Sequence, residues 1–107
     1  MNEEIQQIQV TLAQLEAKVE KATKWTKLVN DPLFMELVSK DYLGDDAVRL
    51  TMNLKPKTED NEVSNNLLLA KATFSRFVAQ ILDEGEQALY SIEENKAAEA
   101  EINSEVD

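Results

Sequence analysis

Apolar residues open this chain on a helical beat. Ile5, Ile8, Leu12, Leu15, Val19 and Ala22 fall at alternate steps of three and four, with mostly polar residues between them. That period predicts a helix over about residues 3–29 carrying a coiled-coil seam. The flanking sites hold Gln9, Thr11, Glu16 and Lys18. The stripe is narrow, about two residues in seven, where a helix set in a globular core shows about three. An intermolecular or hairpin coiled coil therefore fits it better than a helix packed within its own monomer's core.

Past Trp25 the pattern broadens. Asp31 is a good N-cap, and Pro32 has its φ pre-set for a first helical position. Leu33, Phe34, Leu37 and Val38 follow as a wide apolar face, which predicts a short helix over about residues 32–42. Gly44 is placed to end it, and Asp45 to cap another over about residues 46–54, closed by Lys55 and Pro56. Trp25, Phe34, Leu37, Tyr42 and Leu50 are the expected core of a compact knob built from these short helices.

Thr58 can cap a long helix over about residues 59–95, whose acidic first turn suits the helix dipole. Val63, Leu67, Ala70, Phe74, Phe77 and Ile81 repeat the four-three spacing, and Leu68, Val78, Leu82 and Leu89 form a second row. Gly85 sits inside this helix at a cost of about 1 kcal/mol against Ala, and marks a close helix contact or a weak point. The expected architecture is all-α: one helical domain, residues 1–95, in which a long helical hairpin or coiled coil turns through two short helices. Its interaction seam is Ile5, Ile8, Leu12, Leu15 and Val19 with Val63, Leu67, Phe74, Phe77 and Ile81. A lone hairpin would leave large apolar residues in water, so oligomerisation is expected.

Charge changes the picture at one end. From Asp83 to Asp107 there are nine acidic residues against one basic residue, Lys96, in a chain of net charge −10. Apolar periodicity fades there, so residues 96–107 are expected to form an acidic, frayed tail that repels nucleic acid and anionic lipid. Lys18, Lys21, Lys24 and Lys27 recur every third residue. The stripe reads as a solvated face, a phosphate-contacting surface or a site for a neighbour's acidic arm. The absence of interleaved aromatics and the overall charge argue against nucleic acid.

Candidate chemistry is sparse. The chain has no cysteine and no histidine, which removes thiolate chemistry, the commonest metal ligands and the commonest general base. No Gly-rich phosphate loop or HExxH occurs. Asp41, Asp45 and Asp46 around Gly44 have the chemistry for a hard cation, but lack the alternation of an EF-hand loop and are better explained by helix capping. No enzyme activity, cofactor or metal is expected. Neither a signal peptide nor a run of about 18 to 20 apolar residues is evident, so a soluble intracellular protein is expected.

The segment NDPLFMELVSKDYLGDDAVRL, Asn30 to Leu50, resembles small helical proteins encoded among the particle-assembly genes of tailed bacteriophages. Asp31, Pro32, Phe34, Tyr42, Ala47, Arg49 and Leu50 carry the likeness, with a later Phe-bearing helix (Phe74, Phe77) and an acidic end. The resemblance covers about two-thirds of the chain, and its motifs cap and pack helices. It implies a virion-associated or capsid-assembly component in the host cytoplasm or the virion, which self-associates and binds a capsid, portal or similar phage protein. The alternative expectation is a small acidic phage inhibitor of a host protein, acting as a DNA mimic or a polymerase ligand.

Overall fold

The computed structural model describes residues 2–106. Among these there is no strand, and the fold is an all-α helical hairpin whose long arms are α1 (Asn2–Val29) and α4 (Glu62–Val106). Between them in sequence lie a three-residue helix α2 (Pro32–Phe34), a π-helix (Met35–Asp45), α3 (Asp46–Met52) and a 3₁₀ turn (Thr58–Asn61). The chain divides into two compact units. One joins the stretch up to Trp25 with the stretch from Gln80 onward, and the other holds Thr26–Ala79.

The first unit is an antiparallel helix pair. Ile8 shares a groove with Asn95 and Ile102, Leu12 with Lys96 and Glu99, and Leu15 with Ala88 and Ser91. Leu12 and Ala22 are buried, while Ile5, Ile8, Leu15, Val19 and Trp25 are half-buried, so the predicted α1 seam faces inward along this unit. Opposite it lie buried Ile81, Gly85 and Ala88, with Leu82, Ile92 and Ile102 half-buried. A Cβ built on Gly85 would overlap the Ala22 methyl and lie 3.6 Å from the Lys18 carbonyl oxygen. Of the two readings of Gly85, close helix contact is the one the structure has.

The second unit folds α2, the π-helix and α3 beside the start of α4. Asp31 caps as expected: its Oδ1 accepts from the Leu33 and Phe34 amides at 2.9 and 3.4 Å, with Pro32 following. The expected stop at Gly44 does not occur. The π-helix runs through it, marked by the Asp46 amide donating to the Asp41 carbonyl, and no described glycine has positive φ. A Cβ on Gly44 would sit 3.3 Å from the Ser39 carbonyl oxygen, a close contact that glycine avoids. Asp45 makes no side-chain cap bond, because it lies in continuous helical backbone.

Two further expectations are corrected. Thr58 does not cap α4: Lys57 precedes the 3₁₀ turn without a side-chain cap bond, and buried Asn61 organises this entry instead. Its Oδ1 accepts from the Lys55 amide at 2.7 Å, and its Nδ2 donates to the carbonyls of Lys55 and Lys57 at 2.7 and 3.1 Å. The helix also does not end near Glu94 or fray from Lys96, since α4 is helical through the acidic segment to Val106. Ala97, Ala98 and Ala100 within it are strong helix formers, which offsets its weak apolar periodicity.

Candidate functional site: a buried lysine beneath an open apolar row

The start of α4 carries two apolar rows, and the second unit uses the less apolar one. Its inward row runs Ser64, Leu68, Lys71 and Val78, with Lys71 and Val78 buried. Lys71 is only 5% exposed. Such burial requires partners for its ammonium group, and two are present. Its Nζ lies 2.6 Å from Asp46 Oδ2 and 3.5 Å from the centre of the Tyr42 ring. Phe74 meets the same ring edge-to-face at 6.5 Å and 82°. The other carboxylate oxygen of Asp46 accepts from Arg49 Nε and Nη2 at 3.0 and 2.6 Å.

Asp46 thus sits between two cations, on the first turn of α3. Hydrogen bonds from Lys71, then from Arg49, hold its carboxyl below the usual carboxylate value, against a smaller opposing effect of desolvation. Of the trio Asp41, Asp45 and Asp46, the last therefore serves as an ion-pair acceptor, in neither the capping nor the cation-binding role the sequence reading weighed. Among the described residues, no group of three or more His, Cys, Asp or Glu is arranged to hold a metal ion. With Nζ committed to a carboxylate and a ring face, Lys71 joins helices and is not presented as a nucleophile.

The knob expected from Trp25, Phe34, Leu37, Tyr42 and Leu50 is only partly assembled. Leu50 is buried and Phe34 half-buried, but Leu37 is 58% exposed and Tyr42 40% exposed. Trp25 is half-buried within the first unit. Phe34 and Val38, four apart, are half-buried there, and Leu37 lies off their line. Sequence reasoning missed Lys71 altogether. The available signal was a lysine between Leu68 and Val78 on the helix that also bears Phe74.

The remaining predicted residues divide sharply. Phe74 is half-buried and Ile81 buried, whereas Val63, Leu67 and Phe77 are 73%, 46% and 51% exposed. These three were expected in the hairpin seam and are exposed, while Ser64, Leu68, Lys71 and Val78 form the inward row of this unit. Lys18, Lys21, Lys24 and Lys27 are all exposed, with Lys24 paired to Glu20 at 3.3 Å. No described helix is long and apolar enough to cross a membrane. No protein-family model, curated protein or solved structure matches this chain.

Proposed function

We propose that this protein is a non-enzymatic helical assembly factor, a virion-associated or capsid-assembly component of a tailed phage. In this reading it self-associates and binds another phage structural protein. The observation that supports it most is the open row Val63, Leu67 and Phe77 on a regular helix. Solvent-facing apolar rows of this kind are characteristic of surfaces that meet another chain. Leu33, Leu37 and Met52 extend the exposed apolar surface of the same unit, at 66%, 58% and 80%. The likeness of Asn30–Leu50 to phage particle-assembly proteins supports the setting.

A second reading, a small acidic inhibitor of a host protein, gains from the helical order of the acidic segment. Glu93, Glu94, Glu99, Glu101 and Glu105 stand on a continuous helix, where fixed carboxylates can imitate a phosphate row better than a frayed tail can. The experiment that separates the readings isolates partners from infected-cell extract, using the full chain and a form ending at Asn95. Capsid-side proteins recovered by both forms, undisturbed by added duplex DNA, support assembly. A polymerase or nuclease that duplex DNA displaces, and that the shortened form loses, would replace it with inhibition.

A further inference from the structure

We propose that the groove along one side of the α1–α4 pair, from Glu4 to Lys18, docks a basic amphipathic helix of another protein. The groove belongs to the helix-pair unit and does not depend on the assembly reading, which draws on the second unit. It exists because the pair leaves part of its own seam uncovered. Ile8, Leu15 and Ile102 are only half-buried. Gln7, Ile8 and Thr11 of α1 face Asn95 and Ile102 of α4 across an open space of about 330 Å³. One heptad further along α1, Leu15 and Lys18 face Ala88 and Ser91 across another of about 140 Å³. From Glu4 to Lys18 the helix rises about 21 Å, four turns. Asn95 Nδ2 donates to the Ser91 carbonyl at 2.8 Å, so the polar side chain of the wall is bonded within its own helix. A third helix laid here covers the aliphatic floor.

Charge selects the occupant. Glu4 lines the groove on the α1 side, and α1 has no base before Lys18. On α4, half-buried Ala98 and Ile102 stand four apart on the groove side. Glu94, Glu101 and Glu105 follow the adjoining line at steps of seven and four. All four glutamates are exposed, and among the described residues none of them enters an ion pair. Lys96, the one base in this part of α4, lines the opposite side of the pair with Leu12 and Glu99. The rim is therefore acidic and unneutralised above an apolar floor. Nucleic acid and anionic lipid carry the same sign as the rim. A second copy lacks the matching bases: Lys18 shares its wall with Glu84, and Lys21, Lys24 and Lys27 wind around α1 at steps of three instead of flanking an apolar line. A helix whose apolar stripe is bordered by lysine or arginine satisfies floor and rim together.

The chain has no cysteine, so single introduced thiols report contact one position at a time. Gln7 and Gln9 are both exposed, on opposite edges of α1, and of the two only Gln7 lines the groove. Full-length Gln7→Cys and Gln9→Cys are alkylated with a maleimide in the presence of a synthetic leucine–lysine peptide. The peptide has about 18 residues, long enough to run the groove, with leucines at heptad spacing. A matched peptide carries glutamine in place of lysine, and circular dichroism confirms that each protein variant is helical. The lysine peptide is expected to slow alkylation of Gln7→Cys about fivefold or more and to leave Gln9→Cys unchanged, while the glutamine peptide protects neither. Adding Glu94→Gln, Glu101→Gln and Glu105→Gln together should weaken the protection. Raising salt from about 0.1 M to about 1 M should do the same, since the Debye length falls from about 10 Å to about 3 Å. No slowing, equal slowing at both thiols, equal protection by the glutamine peptide, or indifference to the three substitutions would overturn the proposal. Slowing at Gln7→Cys that grows with protein concentration alone would assign the groove to a second copy instead. Absence of the protein from purified particles would remove the assembly reading and leave the groove standing.

Discussion

Gly85 and Ala22 meet where the two long helices leave no space for another methyl group between them. A Cβ on Gly85 would overlap the Ala22 side chain, with the Ala22 Cα 3.7 Å away. In an exposed helix interior, Gly→Ala is stabilising by about 1 kcal/mol. Here the sign reverses, because overpacking costs about 1–3 kcal/mol. Gly85→Ala is expected to lower stability in chemical denaturation. Adding Ala22→Gly should recover most of the packing loss, so the two changes couple strongly in a double-mutant cycle. Additive effects would place the close approach elsewhere.

The ion pair beneath Tyr42 predicts an asymmetry between its partners. Asp46→Asn leaves the buried Lys71 ammonium facing a neutral amide and a ring, so the melting temperature should fall. Lys71→Met fills similar volume with apolar atoms and leaves Asp46 with Arg49, so it should be nearly neutral or raise the melting temperature. Thermal melts of both variants at neutral pH check this. Equal losses in the two would show that the pair contributes through mutual attraction more than through the cost of a stranded cation.

Acid should act through the same carboxylate. Because the folded-state pKa of Asp46 lies below its unfolded value, its contribution is fully present above the ordinary carboxylate range. It is lost as pH falls through the lower folded value, so the loss begins below about pH 4. The difference in melting temperature between wild type and Asp46→Asn should be constant from about pH 5 to neutrality and shrink below about pH 4. A gap that widens on acidification would contradict the assigned shift.

Asn61 makes three hydrogen bonds to the segment that enters α4. Asn61→Ala removes all three and is expected to cost about 1–2 kcal/mol, some being regained through water. Asn61→Asp keeps the acceptor and replaces the donor with an oxygen facing two carbonyls, so it should cost more. Chemical denaturation ranks the two. Hydrogen exchange at the Lys55 amide, whose bond goes to Asn61 Oδ1, should accelerate in Asn61→Ala.

The two long helices were not equally legible. In α1 a single apolar row exists, and Ile5 through Ala22 has no rival face, so its period alone identified the inward side. In α4 two rows compete. As far as Phe77 the more apolar one is exposed and the row of Lys71 is buried, because α3 supplies an aspartate to that lysine, a feature invisible to periodicity. From Ile81 on the first row is buried instead, and Gly85 on it meets an alanine on α1 too close for any side chain. The π-helix was unreadable for a related reason. Phe34, Leu37 and Val38 scan as an α-helical face, and the wider i→i+5 turns over Met35–Asp45 have no strong compositional mark.

The acidic end of α4 has one more consequence. Its last turn bears no basic residue, while Glu101 and Glu105 stand four apart beside carbonyls that already carry the negative pole of the helix. Like charges at this spacing destabilise a helix, as anions at its C-terminus do. The end of the helix is therefore electrostatically frustrated in isolation. A cationic surface laid against it relieves both repulsions in a single contact, so a basic partner would tighten the very helix it binds.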